Sequence, residues 1–351
     1  MRETNKIRPG EELNEASLRE FLHAQTMDLQ GGIEISQFPA GSSNLTYLVK
    51  IGGQELVLRR PPYGNTVKSA HDMKREFDVL SELSKVYQPA PKPFVYCGDE
   101  TIIGSEFYLM ERRHGLIIRG NSPENLANAA ELQKSVCESF IGNLVELHLL
   151  DYRKIGLGRL GKPEGYAQRQ VEGWTKRYFN AKTDDHAELE TAIEWLNRNI
   201  PKTGGATLVH NDYKFDNVML NPENLTEIAA VLDWEMVTVG DPLMDLGTTL
   251  GYWMSKDAGK EMLGMPFNPR VLMENISRRQ LVEMYADKSG ADVSNILFYY
   301  VFGTFKIAAI AQQIYARFVK GFTRDQRFAT FDSFVHALGI IAADSIARGE
   351  I

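Results

Sequence analysis

The chain has 351 residues, 43% of them hydrophobic and 24% charged, with a net charge of -7. That length supports a large core shared between two lobes more readily than one, and an acidic balance without a basic stripe excludes a nucleic-acid footprint. Cys97 and Cys137 are too few for a disulfide framework and read as small buried hydrophobes.

The opening segment, MRETNKIRPGEELNEASLREFL, lacks the apolar core of a signal peptide and is too acidic for a transit peptide. A cytoplasmic location is therefore expected. No internal repeat or low-complexity segment follows.

β-rich runs at 33–38, 44–51, 54–60, 93–97 and 105–111 predict five strands, with one helical pattern at 69–85. This is a small sheet carrying a single long helix. Between the first two strands, PAGSSNLTY puts Ser42, Ser43 and Asn44 in a turn whose backbone N–H groups can lie over phosphates, although most such turns only join strands. In the third strand Val57 and Arg59 share one face, while Leu56, Leu58 and Arg60 share the other. On a nucleotide-clamping sheet the Val57 side would cover adenine and set Arg59 near the phosphates.

Ser69 and Asp72 stand at capping-box spacing at the start of the helix, which carries Met73, Phe77 and Leu80 on one stripe with Glu76 at its edge. Glu76 can reach Arg59 as an ion pair; the alternative is a solvated charge on an amphipathic helix. EFYLMERRHG at 106–115 ends the last strand as a natural hinge, where backbone groups around Glu111 and Arg112 would bind adenine. The expected division is an amino-terminal nucleotide-binding lobe, 1–113, and a mainly helical carboxy-terminal lobe, 114–351.

GLGRLG at 156–161 satisfies the dinucleotide pattern G-x-G-x-x-G, but it follows a helical run with no strand before it, so it predicts no such site. The chemistry lies further on, in HNDYKFDN at 210–217 and LDWEMVTVGDPLMDLG at 232–247. An aspartate two residues after a histidine, with an asparagine five further on, offers Asp212 as an acceptor for a hydroxyl proton and Asn217 as an amide ligand for a metal. Asp233 supplies a second, anionic ligand.

The short apolar runs 218–220 and 229–232 flank NPENLTEI, read as a turn, and predict a hairpin. Folding about that turn sets Asn217 roughly opposite Leu232, with Asp233 at the same end. Oxygen ligands from a carboxylate and an amide suit Mg2+, and no Cys or His cluster argues for zinc. Asp241 followed by Pro242 makes an N-cap and N1 pair for the next helix.

Segments 114–205 and 254–351 are mainly helical in pattern and are expected to wall the acceptor. That wall includes the aromatic stretch 298–302 with Lys306, Arg317 and Lys320. FYYVFGTFKIAAIAQQIY at 298–315 is interrupted by Lys306, Gln312 and Gln313, so it reads as a core helix, not a membrane span.

These segments resemble the aminoglycoside phosphotransferase and choline kinase superfamily over nearly the whole chain. VLRRPP at 57–62, SAHDMKREF at 69–77, RQVEGW at 169–174, HNDYKFDNVML and LDWEMVTVGDPLMDLG are most similar to the branch that also occurs as a kinase domain fused to acyl-CoA dehydrogenases. The resemblance implies an α+β, bilobal, protein-kinase-like fold: a small five-stranded antiparallel sheet with one helix, plus a larger mainly helical lobe. It also implies ATP-dependent transfer of the γ-phosphoryl group to a small-molecule hydroxyl.

By position, the family pattern makes Asp212 the residue that accepts the substrate hydroxyl, Lys214 a neutraliser of phosphoryl charge, and Asn217 and Asp233 the magnesium ligands. Arg59 becomes the phosphate contact and Glu76 its orienting partner. Asp245 would hold the catalytic loop through backbone amides, with His210 a structural member of that loop. The family usually has lysine where Arg59 stands; arginine keeps the charge and can grip phosphate bidentately. Trp234 and Glu235 replace the Phe-Gly pair of protein kinases, so switching behaviour is not carried over.

The resemblance leaves two acceptor classes: an amino sugar or amino alcohol, or a hydroxyacyl thioester. A nucleotide-binding pseudokinase is the reading from another functional class, and the presence of Asp212, Asn217 and Asp233 argues against it.

Overall fold

The computed structural model describes residues 4–25, 32–39, 44–62, 72–119, 123–202, 205–254, 262, 269–323 and 325–351. Two compact units emerge: Met1–His114 with Ala230–Glu235, and Gly115–Ala229 with Met236–Ile351. Residues 230–235 therefore belong with the amino-terminal unit, which a single division of the chain at 113 does not anticipate.

In the first unit β1 (Ile33–Gln37), β2 (Leu45–Ile51), β3 (Gln54–Arg60), β4 (Pro93–Cys97) and β5 (Phe107–Glu111) form an antiparallel sheet of order β1-β2-β3-β5-β4. All five expected strands form. Alternation along β3 sorts its side chains: Leu56 and Leu58 join a core with Tyr47, Val49, Phe107 and Leu109. On the opposite face of the strand Val57 and Arg59 are buried but lie outside that cluster.

The core is closed by α1 (Glu15–Ala24), a helix absent from the expected elements. Asn14 caps it by accepting the Ser17 N–H at 3.1 Å, and Leu18 and Leu22, one turn apart, are fully buried. A segment read only for targeting signals thus supplies structure, and the sheet carries two helices where one was expected.

The second helix, α2 (Met73–Leu83), starts later than the sequence pattern suggests, because Asp72 is its N-cap and accepts the Arg75 N–H at 2.9 Å. Ser69 lies outside the described residues. Met73, Glu76, Val79, Leu80 and Leu83 form its buried stripe.

The second unit is built mainly of helices: α3 (Glu124–Ala127), α4 (Ala130–Leu149), α5 (Tyr166–Ala181), α6 (Ala187–Arg198), α7 (Pro242–Tyr252), α8 (Arg270–Asn275), α9 (Arg278–Ser289), α10 (Ile296–Val319) and α11 (Phe331–Arg348). Between α6 and α7 run β6 (Thr207–Val209), β7 (Val218–Asn221), β8 (Asn224–Val231) and β9 (Thr238–Gly240). β7 pairs with β8 and β6 pairs antiparallel with β9.

The predicted hairpin forms, but it closes through Pro222 and Glu223 alone, and 224–228, expected as turn, are strand. Asn221 fixes the tight turn by accepting the Glu223 N–H at 2.9 Å, while Leu225 turns into the core. GLGRLG lies in turns between α4 and α5, after a helix. No helix among the described residues is long and apolar enough to cross a membrane.

The stretch 298–315 is indeed a core helix, and its nearest neighbour explains why two glycines face each other. A Cβ added at Gly303 of α10 would stand 2.0 Å from the Gly247 carbonyl oxygen of α7, and one at Gly247 would stand 2.1 Å from the Tyr299 carbonyl oxygen. The two helix backbones touch without side chains between them. Gly303→Ala is expected to lower stability by about 1–3 kcal/mol, the usual cost of overpacking, read as a fall in the urea midpoint. Gly142→Ala, where the nearest atoms belong to the flexible Lys288 side chain at 3.6 Å, should leave the midpoint unchanged or raised. Equal midpoints for the two variants would refute the close-contact explanation.

Candidate active site

Two clusters of functional side chains form, one in each unit. In the second unit the chain leaves β6 at Val209 and enters the loop 210–217, where Asn211 takes a left-handed backbone, φ 67°. Non-glycine residues pay for that conformation unless their surroundings fix it. Here every polar group of Asn211 is held. Its N–H donates to Asp245 at 2.7 Å and its carbonyl accepts the Lys306 ammonium at 2.5 Å. Its side-chain oxygen accepts Tyr166 at 3.1 Å and its amide nitrogen donates to the Met236 carbonyl at 3.0 Å.

Asp245, in the first turn of α7, also accepts the His210 N–H at 2.6 Å and stands 3.2 Å from His148 Nε2. Its carboxylate is fully buried. Burial works against its charge, but the His148 hydrogen bond and the loop amides outweigh it and hold the carboxyl below the ordinary range. His148 is fixed in turn by the Tyr285 hydroxyl, 2.8 Å from Nδ1. Asp241 caps α7 by accepting the Leu243 N–H at 2.9 Å and takes the Tyr299 hydroxyl at 3.0 Å, the structural job its position suggested.

The kink delivers Asp212. Its Oδ2 accepts Lys214 Nζ at 2.7 Å and Asn217 Nδ2 at 2.8 Å, and its Oδ1 accepts the Tyr252 hydroxyl at 2.9 Å. Burial opposes the charge here too, yet Lys214, with His210 and Lys306 behind it, keeps the carboxyl below its usual range. Asp212 is therefore ionised at neutral pH. His210, fully buried, accepts the Asp212 N–H through Nδ1 at 3.3 Å, a structural position.

In the first unit the cluster centres on Arg59. Its guanidinium donates to Glu76 at 2.8 Å and to Asp233 at 3.0 Å, with Glu235 at 3.6 Å. Burial works against this cation, and the surrounding carboxylates reverse the effect. Glu76, itself buried, has its carboxyl raised by burial, with Arg59 pulling the other way. Asp233 shares the left-handed conformation, φ 67°, so the two non-glycine residues with positive φ among those described both lie on the predicted motifs. Trp234 anchors this turn by donating to the Val231 carbonyl at 2.8 Å and packing edge-on against Tyr87.

The remaining predicted residues are placed differently. Asn44 donates its side-chain amide to Glu235 at 2.8 Å, while Ser42 and Ser43 lie outside the described residues. Val57 is buried one pleat away from Arg59. At the hinge, the Glu111 N–H already donates to the Lys92 carbonyl at 2.8 Å, so it is not available to adenine, and the Arg112 side chain pairs with Glu55. Arg317 and Lys320, grouped with Lys306 in the sequence, are exposed at the far end of α10, whereas Lys306 is buried against the loop. Tyr252 and Tyr166 were not anticipated. No group of three or more His, Cys, Asp or Glu side chains is placed to hold a metal among the described residues.

Residues 34–265 match the family model described as the phosphotransferase enzyme family. The chain belongs to that family. Rat acyl-CoA dehydrogenase family member 11 is 34% identical over 336 residues, which is 91% of this chain and 42% of the rat protein, so the chain spans about two fifths of that relative. A solved Ralstonia eutropha protein named for the aminoglycoside phosphotransferases is 27% identical with a TM-score of 0.80, over 96% of this chain and 99% of the other. An aminoglycoside phosphotransferase solved with AMP-PNP and hygromycin B has the same fold, at a TM-score of 0.60 and 15% identity over 94% and 99% of the two chains.

In this phosphotransferase Asp245→Ala leaves two loop N–H groups and His148 without their acceptor. The expected loss is about 3 kcal/mol or more, since each of these three buried unsatisfied donors costs about 1–3. Because the carboxyl is depressed in the folded state, its contribution is present above the ordinary value of about 4 and lost as pH falls through the native value. Parent and variant midpoints should therefore differ at pH 7 and converge in acid. Superimposable urea curves at pH 7 would contradict this.

Proposed function

We propose that this phosphotransferase is a cytoplasmic ATP-dependent kinase that moves the γ-phosphoryl group to a hydroxyl of a small molecule. The observation that carries the reading is Asp212, an ionised carboxylate gripped by Lys214, Asn217 and Tyr252 beside a fixed left-handed kink. The Tyr252 hydroxyl donating to Oδ1 has the donor chemistry of an acceptor alcohol. A carboxylate of low basicity suits orientation of the attacking oxygen and late acceptance of its proton. Lys214 would neutralise charge on the moving phosphoryl group.

Arg59, held by Glu76, would contact the nucleotide phosphates, with Ser42, Ser43 and Asn44 as further phosphate contacts. Val57 would cover adenine, with the Glu111 carbonyl and the backbone of Arg112 at its edge. Asn217 and Asp233 would hold Mg2+. Their atoms fit that ion: the Asn217 amide nitrogen is engaged with Asp212 at 2.8 Å, which leaves its oxygen, and Asp233 meets Arg59 through Oδ1, which leaves Oδ2. Bound magnesium would supply charge neutralisation at the β- and γ-phosphates. AMP-PNP in a neighbour of the same fold supports the nucleotide.

For the acceptor, the hygromycin B complex supports an amino sugar. The extended likeness to acyl-CoA dehydrogenase family member 11 favours a second reading, a hydroxyacyl thioester.

Asp212→Ala should bind Mg-ATP nearly as the parent does, by calorimetry, while transfer falls about 10²–10⁴-fold, the usual contribution of a positioned proton acceptor. An ADP-release screen over amino sugars, amino alcohols and hydroxyacyl thioesters identifies the acceptor class. Nucleotide binding with no release on any alcohol would replace the kinase by a nucleotide-binding scaffold, and unchanged turnover in the variant would remove Asp212 from the chemistry.

A further inference from the structure

Lys306 interrupts an apolar helix and is 1% exposed, yet a charged side chain is not buried without a large desolvation cost. Its ammonium donates to the Asn211 carbonyl at 2.5 Å and lies 5.7 Å from the centre of the Trp174 ring. We propose that Lys306 is a positioning residue for Asp212: from α10 it clamps the carbonyl half of the left-handed Asn211 kink, as Asp245 from α7 clamps the N–H half. This rests on the phosphotransfer reading and adds to it a residue outside the two sequence motifs.

The geometry supports a clamp more than a surface lysine turned inward. The peptide carbonyl it holds is the one that leads directly into Asp212, so displacing it rotates the carboxylate against Lys214, Asn217 and Tyr252. Trp174 of α5 receives Lys306 at 5.7 Å and the exposed Arg177 at 4.6 Å from its ring centre, so α5 braces the lysine through cation–π contacts. The charges acting on the ammonium are Asp212 from the loop and Asp245 from α7, which favour it, and Lys214 and Arg177, which oppose it. Burial is the largest influence, and it brings the amine down to about 8.

The sign of the pH dependence follows: the clamp is cationic below about 8 and weakens as pH rises through that value. Wild-type ADP release from Mg-ATP, with water as acceptor, should fall above that pH, and Lys306→Arg should abolish this alkaline limb because arginine does not titrate there. Lys306→Met should lower kcat about a hundredfold, the effect of misplacing a reacting group by about 1 Å, with KM for ATP within about twofold of the parent because nucleotide contacts are untouched.

Without nucleotide, amide exchange of the 210–214 segment in Lys306→Met should quicken about tenfold by mass spectrometry, while α6 and α11 stay protected. Superimposable pH profiles of wild type and Lys306→Arg, or unchanged exchange in Lys306→Met, overturn the proposal. Should Lys306→Met fail to fold, the Lys306→Arg profile decides it. Should the wild type release no ADP under any condition, the phosphotransfer reading fails, and the exchange measurement still decides the clamp.

Discussion

Two backbone N–H groups, those of His210 and Asn211, meet the buried carboxylate of Asp245, and the shape of the loop that carries Asp212 depends on that meeting. A loop bearing a left-handed asparagine would relax to a commoner backbone if its amides faced water. Held by an ionised carboxylate at 2.6 and 2.7 Å, they cannot. The cost of burying Asp245 is met through His148 and Tyr285, so a chain of polar contacts running into the core keeps the loop in one shape. Conformational strain sits directly beside Asp212, the carboxylate we propose as the hydroxyl's partner.

Much of this was legible in the sequence, for physical reasons that differ by element. The five strands of the sheet read clearly because apolar alternation and turn residues coincide, and their ends move by no more than two residues, from 105 to 107 at the last. The loop motif placed Asp212, Lys214 and Asn217 together because they lie within six residues. Arg59 and Glu76 pair as their faces on strand and helix suggested.

Other features were hidden. α1 has a capping asparagine and a leucine pair, but a ten-residue helix near the end of a chain is easily read as a polar leader. β6 and β9 are three residues each, too short to show a period. Lys306 and Tyr252 reach Asp212's neighbourhood from distant helices, and no local spacing encodes that. Lys306 did leave one signal, the one charged residue on the buried face of its helix.

The two clusters use opposite electrostatic arrangements. Around Arg59 one cation faces Glu76, Asp233 and Glu235, whereas around Asp212 one carboxylate faces Lys214 and, behind the loop, Lys306. Each central charge survives burial because several partners of the other sign outweigh desolvation. The guanidinium can serve Glu76 and Asp233 at once through separate nitrogens, Nη1 and Nη2.

The close approach of α7 and α10 gives the glycines at 247 and 303 a role in the site as well as in the core. Asp245 lies two residues before Gly247 and Lys306 three residues after Gly303, so the two helices whose backbones touch are the ones that carry the groups holding the N–H and the carbonyl of Asn211. A side chain wedged between them would move both groups away from the loop together. Because the contact is backbone to backbone, it has no rotamers through which to yield, and the spacing of the two clamps is as stiff as the helices themselves. The sequence DLGTTLG is therefore tied to the shape of a loop thirty-odd residues earlier, through the contact of two helix backbones.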